Sequence, residues 1–261
     1  MIEAIYVNAD KIEGIEKSGA NYLMVADDGL NPENWAGLKE LGMNLSIAIN
    51  SFDLGGCPAD PEAKGRLLKR VGEALVFKPE AIWLDHFRFD GHWEAIKGVY
   101  IPGTHQDCQF CMSLDRVDVI SKLAKSLMIA VDGQAQVGYF AVPFSPEEVP
   151  DVYQKLGLDH SKIGQIFDFS SPMLYHRMIN QPVEYISEYV KWMANITGKP
   201  VLPIIQIKDM PNDLPDEIDE GEIIAAFNEA KKEPSAGVAI FWWEHALEKN
   251  KIGLVSKLFS E

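Results

Sequence analysis

AIWLDHFRFDGHWE, residues 81–94, is the stretch on which the reading of this chain turns. It opens as an apolar run of strand-forming residues, and its last ten positions carry Asp85, His86, Arg88, Asp90, His92 and Glu94. A strand that ends abruptly in titratable side chains is the pattern of a (β/α)8 barrel strand reaching the C-terminal face, where such barrels carry their chemistry. Trp83, Phe87, Phe89 and Trp93 argue against an ordinary solvated loop, which has little reason to hold so many aromatics.

The same alternation of strand and helix extends along the chain on both sides. Near-continuous hydrophobic runs, as expected of parallel strands buried on both faces, predict strands at 4–10, 22–28, 45–52, 81–87, 137–144, 167–175, 201–207 and 237–243. Residues 127–133 compete for the fifth place, but helical periodicity assigns 114–130 to a helix. Asn31-Pro32 and Asp60-Pro61 place a capping side chain before a proline at the first helical position. Ser145 and Glu148 have capping-box spacing, and a helix opening at Pro182 should stop near Gly198 and Pro200. Eight strands alternating with helices in 261 residues predict a single α/β domain over 1–261, a (β/α)8 TIM barrel. A doubly wound sheet would put a glycine-rich phosphate turn after the first strand, and Asn8-Ala9-Asp10-Lys11 is not one. No P-loop or G-x-S-x-G elbow is present either.

With 24 Lys+Arg against 39 Asp+Glu, the net charge of -15 speaks against binding nucleic acid or an anionic membrane surface. Neutral small molecules and sugars fit it better. No apolar run is long enough to span a bilayer, and MIEAIYVNAD lacks the features of a signal peptide, so a cytoplasmic location is expected.

The predicted strand ends collect Asn8, Asp10, Asp27, Asp28, Asn50, Asp53, Asp85, Arg88, Asp90 and Glu94. Later strands add Tyr175, His176, Arg177, Gln206, Lys208, Trp242, Trp243, Glu244 and His245. Carboxylates facing each other across an aromatic mouth are what glycoside hydrolysis needs: one protonates the leaving oxygen, the other acts as nucleophile or activates water. Asp85 leads as nucleophile or base, Glu244 is the partner acid, and Arg88 is placed to keep Asp85 ionised. Tyr175, His176, Trp242, Trp243, Gln206 and Asp27 are the candidate substrate-binding residues. Strict alternation would put Trp83, Asp85 and Phe87 inside the barrel with Leu84 outside, and Ile240, Trp242 and Glu244 on one face.

The segments at 83–94, 108–111, 137–144, 171–178 (SPMLYHRM) and 237–247 (GVAIFWWEHAL) together resemble a group of poorly characterised glycoside-hydrolase-like TIM barrels. They cover the strands from the fourth onward except the seventh, roughly half the chain. The resemblance implies a carbohydrate-active site with Asp85, Arg88, Tyr175, His176 and Glu244 at matching strand ends. More distantly, DHFRFD (85–90) is similar to the D-G-F-R-x-D run of the α-amylase superfamily, whose final aspartate is the nucleophile; that would be Asp90. His86 replaces the glycine of that run, and Phe144-Ser145-Pro146 leads toward a helix without an acid glutamate, so Asp85 ranks above Asp90.

A second cluster, His105, Cys108 and Cys111, has zinc-ligand spacing, with Cys57 able to supply a fourth ligand. It is compatible with a structural zinc, and equally with a pair of reduced cysteines ahead of a helix. No cofactor is expected in catalysis. The rival readings are a non-catalytic carbohydrate-binding barrel and a metal-dependent hydrolase, the latter disfavoured because no strand ends in an H-x-H pair. The acidic, proline-containing loop 208–220 is long enough to lie over the mouth.

Overall fold

β-branched and aromatic residues that bury both faces drive eight strands into one parallel ring. The computed structural model describes residues 1–52, 56–94, 98–103, 108–149, 151–210 and 217–260. In chain order the ring strands are β1 (Ile2–Asn8), β2 (Tyr22–Ala26), β3 (Asn44–Asn50), β4 (Ala81–Asp85), β7 (Gln136–Ala141), β8 (Phe169–Pro172), β9 (Ile204–Gln206) and β10 (Gly237–Phe241). β5 (Gly91–Glu94) and β6 (Val99–Pro102) form a separate antiparallel hairpin. Parallel ladders run β8-β7-β4-β3-β2-β1-β10-β9, and parallel bridges Ser170↔Val201 and Met173↔Ile204 join the two ends. Pro172 of β8 lies between those two bridges, facing β9; a proline has no N–H to give a ladder, so the closure consists of isolated bridges.

The (β/α)8 expectation is met, with shorter strands than predicted. Most of the ring strands end two to three residues before the predicted limit, because the chain turns into the mouth loops there. The helices sit outside the ring: α1 (Pro32–Glu40), α2 (Pro61–Leu75), α3 (Arg116–Val131), α4 (Val152–Leu156), α5 (His160–Ile166), α6 (Tyr185–Thr197), α7 (Glu220–Ala230), α8 (Trp243–Glu248) and α9 (Ile252–Ser260). Asn31 and Asp60 cap α1 and α2 as expected, each accepting backbone N–H bonds from the first turn. The Ser145–Glu148 box also forms, at 2.8 and 3.3 Å, but it closes a turn, and α4 starts only at Val152. No helix among the described residues is long and apolar enough to cross a membrane.

Two apolar layers result from the strand alternation. Ile5, Val25, Ile47, Leu84 and Val137 face outward under the helices. Ala4, Tyr22, Met24, Ala48, Trp83, Phe140 and Ile204 fill the barrel interior. Trp83, 1% exposed, is the largest interior side chain; it stacks on Phe140 with ring centroids 5.8 Å apart. Its strand neighbours are Ala48 and Gly138, and a Cβ on Gly138 would lie 2.4 Å from the Trp83 ring. Small residues on both sides therefore make the room that Trp83 occupies, and Trp83 closes the barrel beneath the mouth.

Candidate active site at the barrel mouth

A cavity of about 710 Å³ opens where the strands end. Tyr6 and Asn8 come from β1, Asp27 follows β2, Asn50 ends β3, Asp85 ends β4, and Phe241 and Trp242 come from the end of β10. Beneath it, Asp85, Tyr6, Tyr175, Phe140 and Phe241 line a narrow recess. The rings of Tyr6 and Phe241 lie 5.5 Å apart, Tyr175 and Phe241 5.3 Å, and Tyr6 and Trp242 6.1 Å. One wall of the mouth is thus aromatic and the other acidic.

Asp85 is held by the residue that follows it in sequence. One oxygen accepts the His86 backbone N–H at 2.7 Å and faces the His86 ring nitrogen at 3.2 Å. Burial works against its charge, but the His86 ring, the His86 N–H and, more weakly, Arg88 together hold its carboxyl below the usual range. His86 reaches this position with φ of 47°, a left-handed conformation that ends the strand alternation. Phe87 consequently leaves the barrel interior and packs in the outer layer against Phe52 and Phe167, contrary to strict alternation. Trp83 inside and Leu84 outside follow the expected pattern.

Glu244 lies in the first turn of α8, half-buried. Neither of its shielded oxygens makes a hydrogen bond of standard geometry among the described residues. Burial pushes its carboxyl up, nearby Asn8 offsets part of that, and the charge of Asp10 adds to it. The Tyr6 hydroxyl registers both acids: burial, then the charges of Asp85, Asp27 and Glu244, push it well above the ordinary phenol range. Tyr6 shares the cavity with Asp27 and Asp85.

Asp27 is held by a residue outside the strand ends. Arg70, on α2, reaches over β3 and donates to both Asp27 oxygens at 2.6–2.9 Å, and also to the Asn50 carbonyl. Burial still wins and keeps the Asp27 carboxyl above its usual value. Removing the guanidinium strands a buried carboxylate, so Arg70→Met should lose about 1–3 kcal/mol at neutral pH. Because the folded-state pKa of Asp27 then rises further, that deficit should be smallest in acid, where Asp27 is protonated, and grow as pH rises through it. Urea unfolding of both proteins across pH measures this. A constant deficit would mean Arg70 acts only through packing.

Other predicted residues are placed elsewhere. Arg88 does not bond to Asp85: its guanidinium donates to the carbonyls of Phe89, at 3.1 Å, and Gly91, at 2.7 Å, and so fastens the start of the hairpin. Asp90 accepts the Gly91 N–H at 2.8 Å and packs against Gly103, where it shapes the hairpin and does not line the cavity. His176, 2% exposed, pairs with Glu222 of α7 at 2.8 Å and lines neither the cavity nor the recess. Trp243 is fully buried, its indole donating to the Glu13 carbonyl at 3.0 Å. Gln206 is also fully buried, donating to the Lys208 carbonyl at 3.0 Å. Ile240 packs outward, apart from Trp242 and Glu244, because the strand ends at Phe241 and α8 begins at Trp243. Asp27, Asp85 and Trp242 line the mouth cavity and Tyr175 the recess beneath it, whereas Glu244 lines neither and meets the rim only through Asn8.

Tyr6 and Arg70 are the residues that sequence reasoning missed. A tyrosine inside an apolar strand reads as core, and an arginine on an amphipathic helix reads as solvated surface. Asp53, His105 and the central part of the 208–220 loop (211–216) lie outside the described residues. Cys57, Cys108 and Cys111 come together: all three thiol sulfurs lie within 4.8 Å of one another. None is in a disulfide.

No family model matches the chain, and no curated protein sequence matches it. Solved structures do. The glycoside hydrolase domain of PgaB (BpsB) from Bordetella bronchiseptica is 10% identical, with 99% of each chain covered and a TM-score of 0.71. A glycoside hydrolase family 18 N-acetylglucosaminidase from Paenibacillus barengoltzii is 12% identical over 98% of this chain and 99% of that one, with a TM-score of 0.63. A chitinase from Chromobacterium violaceum is 10% identical over 98% of each chain, with a TM-score of 0.64. Identity this low makes the likeness one of fold, the (β/α)8 barrel.

Proposed function

We propose that this chain hydrolyses glycosidic bonds of an oligo- or polysaccharide at the barrel mouth. One observation carries the reading: Asp85 lines the mouth cavity with Tyr6 and Asn8, Glu244 interacts with that same Asn8, and the surroundings of the two acids push their carboxyls in opposite directions, Asp85 down and Glu244 up. Two carboxyl groups driven apart in this way divide into a charged partner and a proton donor. Asp85 acts as nucleophile or general base, and Glu244 protonates the leaving oxygen. Tyr6, Tyr175 and Trp242 offer ring faces to a sugar, while Asn8, Asn50 and the Arg70–Asp27 pair present hydrogen-bonding groups to its hydroxyls. The acidic surroundings suit a neutral glycan. Solved barrels of the same fold described as a chitinase, an N-acetylglucosaminidase and a glycoside hydrolase domain support the carbohydrate class.

The test is a panel of neutral and N-acetylated glycans assayed for binding and cleavage by the wild type, Asp85→Asn and Glu244→Gln. Cleavage by the wild type that both substitutions abolish, with binding retained, is the expected result. Binding with no cleavage by any of the three proteins would assign a carbohydrate-binding barrel instead.

A further inference from the structure

We propose that Cys57, Cys108 and Cys111 form a structural zinc site, three thiolates binding one ion whose fourth position is filled by another donor. The three cysteines come from two distant pieces of chain. Cys57 lies in the loop between β3 and α2, while Cys108 and Cys111 occupy a turn between the β5–β6 hairpin and α3. A tetrahedral zinc with bonds of about 2.3 Å places its thiolates about 3.8 Å apart, and the observed sulfurs all fall within 4.8 Å of one another. Among the described residues no carboxylate belongs to the group. Three sulfur donors favour a soft thiophilic ion such as zinc over magnesium or calcium.

The local backbone fits the same assignment. The Cys57 sulfur accepts the Ala59 N–H at 3.4 Å, and Cys111 and Met112 both donate to the Cys108 carbonyl, curling the second turn so that both its thiols face Cys57. That turn holds its apolar side chains the wrong way round for hydrophobic anchoring: Phe110 is 40% exposed and Met112 71%, whereas Cys111 is 2% exposed. A segment that turns its cysteines inward and leaves its large apolar residues in water is fastened by what the cysteines hold. Zinc would displace the thiol protons to solvent and tie the excursion after β4 to the β3–α2 loop. None of the three lines the mouth cavity, so the role is structural and independent of the glycosidase reading.

Metal analysis of the purified full chain, kept reduced, should find about one zinc per molecule, and X-ray absorption should show three sulfurs at about 2.3 Å with one lighter ligand. Cys57→Ser and Cys111→Ser should each weaken zinc retention at least about tenfold against a competing chelator. Since either variant could also fold poorly, the wild type provides the second measurement. After chelation and re-addition of Co²⁺ it should develop thiolate-to-cobalt charge-transfer absorption and recover its near-ultraviolet dichroism. Protein that neither carries zinc nor takes up Co²⁺ would overturn the proposal. So would zinc bound only by nitrogen and oxygen, or a disulfide within the trio in protein isolated without air.

Discussion

Glu244→Gln should lower kcat on a cleavable glycan by about 10²–10⁴-fold and remove the alkaline limb of its pH profile. The sign follows from the two environments. Asp85 must be charged to attack or to activate water, and its carboxyl is held low, so activity should rise through an acidic limb lying below the ordinary carboxylate range. Glu244 must be protonated to donate, and burial raises it, so activity should fall as pH climbs past a limb above that range. Glutamine cannot give up a proton, so the falling limb disappears together with the rate. Aryl glycosides whose leaving groups need no protonation should recover much of the loss in Glu244→Gln and none of it in Asp85→Asn. A falling limb that persists in Glu244→Gln would move the acid to another group.

Trp83→Ala should destabilise the barrel by about 3–5 kcal/mol, read from chemical denaturation. Its ring is 1% exposed, stacked on Phe140 at an interplanar angle of 13°, in contact with Phe169, and its indole reaches the Tyr22 hydroxyl at 3.4 Å. The flanking strand positions, Ala48 and Gly138, are too small to fill the space it would leave. Gly138→Ala should cost about 1–3 kcal/mol for the opposite reason, since its new methyl would sit 2.4 Å from the ring. Combining the two should cost less than their sum, because the methyl then enters the vacated volume. Strict additivity would mean that the two side chains do not share one space.

The ring was legible in the sequence because each of its strands is a hydrophobic run wide enough to see, and because Asn31-Pro32 and Asp60-Pro61 announce their helices. Asp85 was legible for the same reason, as the first charge after such a run. The β5–β6 hairpin was not: four-residue strands leave no periodicity, and the aromatics of 81–94 read as a site where several are packing. Alternation also cannot foresee a residue such as His86, whose left-handed backbone sends Phe87 out of the interior and aims its own ring at Asp85. Trp242 and Trp243 are adjacent in sequence, yet one borders the cavity and the other supports Glu13 from within the core, because the change from strand to helix falls between them. Arg70 belongs to the mouth only because a long side chain bridges from helix to strand end, a fact of three dimensions.

Seven of the eight joints in the ring are continuous ladders, and the one between β8 and β9 is not. A circular sheet with a single weak seam does not yield evenly. Thermal opening concentrates there, so the amides of Leu174 and Leu202, which span the seam, should exchange with solvent before those of β2 and β3. That seam lies below the Tyr175 side of the mouth and opposite the Asp27 side. One rim of the bowl is therefore joined by isolated bridges and the other by continuous ladders, and Asp85 stands in the continuously laddered half.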